Sequence, residues 1–218
     1  MPAGSPSRLV PLAFPGPAGA LEALLQEPGG AEPVATAVVC HPHPLYGGTL
    51  HNKVVHRVAS TLHALGAAAL RFNFRGVGAS EGRHDAGEGE REDARAALEF
   101  MRRRWPAARR WLAGFSFGSW VAARVAAEEP GIDSLLLVAP PVATSSFEAL
   151  RRAPVPKLVV QGKRDDVCPL ERLLAEFPRW ADPKRLVTVE GASHFFDRRL
   201  DGLADAVREL LAPATPAP

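Results

Sequence analysis

Cysteine is scarce: Cys40 and Cys168 are the only two in 218 residues, too few for a disulfide framework. Long apolar runs are missing, which excludes a membrane span and a membrane partner. Met1 to Gly30 holds no basic stretch followed by a long apolar one, so no secretory signal is read there and the expected compartment is the cytoplasm. Neither sign of charge dominates. Lys and Arg number 26 against 24 Asp and Glu, and a net +2 gives no electrostatic mandate for nucleic acid. Internal repeats are absent as well. What remains is 46% hydrophobic and 23% charged, the balance of a soluble globular chain of a length suited to one α/β domain. That domain is assigned to residues 1–212, and the Pro- and Ala-rich 213–218 is expected to be a disordered tail.

Periodicity then orders the chain. Arg8–Phe14 and Ala18–Gln26, split by Pro15-Gly16-Pro17, read as an edge hairpin, although Ala-Leu-Glu-Ala-Leu-Leu has helix-forming composition. Ala35–Cys40 and Ala67–Phe74 are continuous apolar runs of the kind found in buried parallel strands. Between them Asn52–Leu65 carries Val54, Val55, Val58, Leu62 and Leu65 at helical spacing. Glu90–Arg104 is a charged amphipathic helix. Further strands are expected at Trp111–Phe115, Ile132–Val138, Lys157–Gln161 and Leu186–Val189, and helices after Ser116, at Leu170–Phe177 and at Leu200–Leu211. Strict alternation after the hairpin predicts a doubly wound, mostly parallel sheet with an antiparallel N-terminal edge and helices on both faces. Ligands of such a sheet bind outside the carboxyl ends of its strands.

One of those ends carries Gly114-Phe115-Ser116-Phe117-Gly118, the G-x-S-x-G pattern of a nucleophile elbow. A serine on so tight a strand-to-helix turn leaves no room for side chains two positions away on either side. The helix N-terminus then aims free N–H groups at an oxyanion. A serine needs a base, and the base an orienting carboxylate. Two later strand-end loops supply them: Asp165 and Asp166 follow Gly162, and His194 follows Gly191. The order Ser, Asp, His is that of the α/β-hydrolases. Each residue alone has a plainer reading, a helix cap or turn for the aspartates and a loop histidine for His194. Three in order after consecutive strands make coincidence a poor explanation.

Other candidates carry less. His41, His43, His51 and His56 lack acidic or cysteine partners at ligand spacing, so no metal is expected. Arg75-Gly76-Val77-Gly78 lacks the spacing of a phosphate loop, and Arg75 reads as a structural cation pairing with a carboxylate or carbonyls. Arg102-Arg103-Arg104 ends a helix, where cations suit the dipole, and is not read as a nucleic-acid patch. Cys40 and Cys168 read as small packed hydrophobes.

The segments His41-Pro42-His43-Pro44-Leu45-Tyr46-Gly47-Gly48-Thr49, Asn52-Lys53-Val54-Val55 and Arg71-Phe72-Asn73-Phe74-Arg75-Gly76-Val77-Gly78-Ala79-Ser80 resemble a small, capless branch of the α/β-hydrolases, similar to dienelactone hydrolases and esterases. The resemblance runs from about Arg8 to Leu211. It implies that Asp165, three residues after the strand-end glycine, is the triad acid, with Asp166 as the alternative, and that His194 is the base. It also implies an oxyanion hole built from the Phe117 N–H and a donor in the first loop. Pro42 and Pro44 have no N–H, which leaves Leu45 or Tyr46 for that second donor.

Only about eighteen residues separate Val138 from Lys157, the interval that holds large lids in this fold, so little or no lid is expected. The site should be open to small or protruding acyl groups, walled by Phe115, Phe117, Phe195 and Phe196, with His43 beside it. The expected activity is a serine hydrolase of carboxylic esters acting on a small-molecule substrate without cofactor. The alternatives are a thioesterase or an amidase or peptidase on the same triad, or a non-catalytic interaction domain. Oligomeric state, a homodimer included, is left open.

Overall fold

The computed structural model describes residues 7–30 and 32–211. Tail residues 213–218 lie outside them. Strands β1 (Arg8–Gly16) and β2 (Gly19–Glu27) form the hairpin, and β3 (Ala35–Cys40), α1 (Lys53–Ala64), β4 (Ala67–Phe72) and α2 (Glu88–Arg104) follow. Then come β5 (Arg109–Phe115), α3 (Phe117–Glu128), β6 (Ser134–Val138), β7 (Lys157–Gly162), α4 (Leu170–Glu176), β8 (Lys184–Val189) and α5 (Leu200–Leu211). All eight strands share one sheet in the order β1-β2-β4-β3-β5-β6-β7-β8. β1 pairs antiparallel with β2, and β2 with β4; every other pairing is parallel. The fold class read from the sequence is therefore the one observed.

The Ala-Leu-Glu-Ala-Leu-Leu stretch becomes a strand because its apolar residues alternate. Leu21, Ala23 and Leu25 point into the core at no more than 1% exposure, and helix propensity gives way to that tertiary pattern. Alternation also divides the central strands between two cores. Val38, Cys40, Leu70, Leu112, Leu135, Leu137 and Val159 face a layer with Ala94, Ala97 and Met101 of α2 and Val121 and Val125 of α3. Val39, Ala69, Ala113, Leu136, Val138 and Val160 face the other layer, with Val54, Val58 and Leu62 of α1 and Leu203 and Val207 of α5. A strand buried on both faces must read as an unbroken apolar run, which is what these do.

The differences from expectation are small. β4 stops at Phe72 rather than Phe74, because the Asn73 N–H turns to the Glu22 carbonyl at 2.8 Å and its amide to the Glu22 carboxylate at 2.7 Å. β6 starts at Ser134, after Asp133 has looped back so that its carboxylate caps the Arg110 N–H at 2.7 Å. The interval between β6 and β7 holds only turns and one short 3₁₀ segment, Glu148–Arg151. No helix among the described residues is long and apolar enough to cross a membrane.

One buried side chain ties the site loops to pH. His41, just past β3, is fully buried; its Nδ1–H donates to the Pro42 carbonyl (2.6 Å) and its Nε2 accepts from the Phe74 N–H (3.0 Å). Burial pushes this imidazole down to about 4 from an ordinary value of 6.5. Between those values the unfolded chain binds a proton that the folded chain refuses. Stability fully present above pH 6.5 is therefore lost as the pH falls, by about 3 kcal/mol once below the folded value. Urea midpoints measured at pH 7 and pH 4.5 should show this loss, and the His41→Gln variant should show a shallower one.

Candidate active site

Ser116 stands between β5 and α3 with φ 52° and ψ −120°, a left-handed conformation that costs a non-glycine residue about 1–3 kcal/mol. The neighbouring glycines are needed sterically. A Cβ on Gly114 would lie 2.2 Å from the Gly118 carbonyl oxygen, and one on Gly118 would lie 2.4 Å from that of Cys40. The first turn of α3 closes on the serine itself, since the N–H groups of Ser119 (2.8 Å) and Trp120 (3.3 Å) both donate to the Ser116 carbonyl. The Phe117 N–H, next after the serine, has no acceptor among the described residues and remains available at the positive end of the helix.

The loops after β7 and β8 are stitched together by Lys163 N–H to Val189 carbonyl (3.0 Å) and Arg164 N–H to Ala192 carbonyl (2.9 Å). Gly162 allows that approach, because a Cβ there would sit 2.5 Å from the Ala192 oxygen. Asp165 and His194 thereby meet: the Nδ1–H of His194 donates to Asp165 Oδ2 at 2.9 Å, and both residues are buried. The same oxygen accepts from Gln161 Nε2 (2.9 Å), while Oδ1 accepts the N–H groups of Val167 (3.0 Å) and Cys168 (2.7 Å). Four donors saturate the carboxylate and hold it at one angle. A carboxylate only accepts, so the proton lies on Nδ1 and the Nε2 of a neutral ring carries a free lone pair. Asp166, by contrast, is exposed.

Cys168 enters the site in a way its sequence context concealed. Its Sγ and donor atoms of Asp165 and His194 all lie within 4.8 Å of one another, the one such group of potential metal donors among the described residues. The carboxylate and the imidazole are already committed to each other, which makes the cluster a hydrogen-bonded one first. Burial, and then the charge of Asp165, push the thiol up to about 12; the Ser116 hydroxyl acts in the opposite direction. The thiol therefore stays protonated. The signal for it lay in the turn. An aspartate that accepts the N–H groups two and three residues on draws residue 168 against its own carboxylate. The histidines at 41, 43, 51 and 56 do not converge into such a group.

Two expectations about the walls are corrected. Phe115 is wholly buried, 4.9 Å ring to ring from His194, and supports that imidazole from the core instead of facing a substrate. It falls on the core side because β5 alternates, and Phe196 is likewise sealed in. Phe195 is open at 43% exposure, while Phe117 keeps 8%. The second correction concerns Leu45 and Tyr46. The Leu45 N–H donates to His43 Nδ1 (3.2 Å) and the Tyr46 N–H to the His43 carbonyl (3.1 Å), so a 3₁₀ turn has used both. The His43 N–H, between the two prolines, has no acceptor among the described residues, and neither do those of Gly47 and Thr49 further along the loop. Arg75 has the structural role expected of it, with Nε and Nη2 clamped on the buried Asp93 carboxylate at 2.7–3.1 Å.

This strand order, a strained serine at the end of β5, and no sizeable insertion between β6 and β7 define a lidless α/β-hydrolase. Within that class the chain belongs to the family described as serine aminopeptidase, S33, whose sequence model matches residues 31–154. It is 35% identical over 208 residues to an uncharacterized protein of Rickettsia prowazekii, covering 91% of this chain and 87% of the relative. An alpha-beta serine hydrolase homologue from Coxiella burnetii is similar in structure, with a TM-score of 0.89 and 43% identity over 93% of this chain and 97% of that one. A serine hydrolase without lid from Xanthomonas campestris superimposes with a TM-score of 0.88 at 36% identity, over 99% of both chains.

Proposed function

We propose that the protein hydrolyses carboxylic esters with small or protruding acyl groups through Ser116, His194 and Asp165. The observation that carries this reading is the 2.9 Å bond from His194 Nδ1 to a carboxylate oxygen saturated by other donors. It leaves the Nε2 lone pair free on a histidine that clusters with Cys168, whose thiol in turn meets the Ser116 hydroxyl. In this mechanism Ser116 Oγ attacks the ester carbonyl as His194 takes its proton, and the imidazolium formed is stabilised by Asp165. The oxyanion is held by the N–H groups of Phe117 and His43, both fixed by backbone turns before substrate arrives. His194 then protonates the leaving alkoxide, and water activated by the same imidazole releases the acid from the acyl-enzyme. No step calls on a metal or cofactor.

The family description carries a peptidase reading to the same triad. An aminopeptidase needs a free carboxylate for the substrate ammonium. The buried carboxylates nearest the site, Asp165 and, behind His84, Glu90, are occupied by their own donors. The test is a panel of matched short-chain esters, thioesters and anilides. Esters should turn over fastest, and a preference for anilides would replace this reading with the peptidase one. The same assay checks the oxyanion donor. His43 has φ −54°, which proline accepts, so His43→Pro deletes the N–H where His43→Ala keeps it. The proline variant should fall below the alanine variant in kcat by about 10²–10³; equal rates would exclude the His43 N–H.

A further inference from the structure

Beside Phe117, the residue after Ser116, stands a second carboxylate–histidine pair that the triad does not use. His84, in the loop between β4 and α2, holds its Nδ1 2.7 Å from Glu90 Oε1. Glu90 is fully buried and already caps its own helix, accepting the N–H groups of Asp85 (3.0 Å) and Gly87 (2.7 Å). A cap of that kind does not require an imidazole. What Glu90 adds is a fixed tautomer: the proton of His84 is held on Nδ1 and its Nε2 is left as an acceptor. The adjacent ring has the opposite polarity. His43 Nδ1 accepts the Leu45 N–H (3.2 Å), so the proton of its neutral ring sits on Nε2 as a donor. Burial is the main cause that lowers the His43 imidazole from its ordinary value and favours that neutral form.

The two rings lie 5.1 Å apart, and both pack on the side chain of Phe117, at 4.8 Å for His43 and 5.8 Å for His84. Neither Nε2 has a hydrogen-bond partner among the described residues. Tyr46, 86% exposed, stands 4.7 Å from the His43 ring and extends the wall as an open aromatic lip.

We infer that His43 and His84 form a polar subsite that takes a substrate hydroxyl, accepting its proton at His84 Nε2 and donating to its oxygen from His43 Nε2, and that the preferred esters carry this hydroxyl on an aromatic ring. A hydroxyl is the group that donates and accepts at one atom, as this pair demands. A carboxylate would offer nothing to the bare Nε2 of His84 and would face Glu90 behind it, whose charge reaches as far as His43. An aromatic carrier fits because Tyr46, His43 and Phe117 present ring faces and edges to it.

The inference rests on the ester reading above, and its test separates the two. The substrates are para-hydroxyphenyl acetate and para-methoxyphenyl acetate, whose leaving groups have closely similar acidity. The wild-type protein should favour the hydroxyl ester by about tenfold in kcat/KM, carried by KM, which is the value of one neutral hydrogen bond. His84→Phe should bring the ratio to about one, and His84→Gln, whose Oε1 can accept, should restore part of it. A second measurement needs no turnover: the imidazole resonances of His43 and His84 in the Ser116→Ala protein are followed by NMR during titration with phenol or anisole. Phenol should shift both and anisole neither. A wild-type ratio near one, or equal shifts from the two ligands, would overturn the subsite. Phenol-specific shifts in a protein that cleaves no ester would support it and reject the ester reading instead.

Discussion

Ser116→Ala should lower kcat on a short-chain para-nitrophenyl ester by about 10⁶-fold, to a residue sustained by the oxyanion donors alone. It should also abolish labelling by a fluorophosphonate. The change is clean because the hydroxyl caps no N–H of α3 and contacts only the neighbouring Cys168 thiol, while the backbone at φ 52° is equally available to alanine. Melting temperature should therefore hold while activity vanishes. Ser116→Gly separates the two roles of the position further. It loses the nucleophile too, but relieves the left-handed strain, and should be more stable than the parent by about 1 kcal/mol. Ser119 is the matched control. Its hydroxyl donates to the Ser116 carbonyl at 2.6 Å, so Ser119→Ala weakens the turn by about 1 kcal/mol and keeps the labelled serine. An unlabelled wild-type protein would leave an interaction domain built on this fold. Hydrolysis that survives Ser116→Ala would move the chemistry to another group.

Most of the fold was legible because its determinants are local. β3, β7 and the hairpin announce themselves by runs and alternation within six to nine residues, and α5 by a single apolar face. The site was legible where chemistry forces a pattern at short range. Only glycine tolerates contacts of 2.2 and 2.4 Å at positions 114 and 118, so the elbow shows in the sequence. What failed to show depends on orientation or on loops meeting from far apart. Phe115 and Phe117 look alike on either side of the serine. One closes a strand and faces the core beneath His194, and the other opens a helix under His43. Leu45 and Tyr46 carry the first N–H groups after the prolines, but a short turn uses both, and the donor proposed in their place, His43, sits between Pro42 and Pro44. The His84–Glu90 pair lies only six residues apart in the chain, yet it reaches the cleft only because Phe117 carries both histidine rings.

Asp165→Asn carries the other large effect, about 10⁴-fold in kcat, while Asp166→Asn should change the rate by less than about twofold. The reason is the count of donors around one carboxylate. Val167 and Cys168 aim N–H groups at Oδ1, and Gln161 and His194 aim theirs at Oδ2. An asparagine has one oxygen and one NH₂ to set against two pairs of donors, so one pair is always opposed. The backbone N–H groups cannot turn away, and the side-chain oxygen will settle on them. Its NH₂ then faces His194, and the cheapest relief is for the imidazole to move its proton to Nε2 and accept at Nδ1. That tautomer presents a proton where a base is required. The loss should therefore appear in kcat with KM little altered. Part of it should return at high pH, where hydroxide can take over the role of the base. The fold should weaken as well, since Gln161 Nε2 loses an acceptor in a buried place. Asp166 is exposed, and its replacement disturbs none of these contacts. A large loss at 166 and a small one at 165 would exchange their roles, and would require the loop between β7 and α4 to turn over.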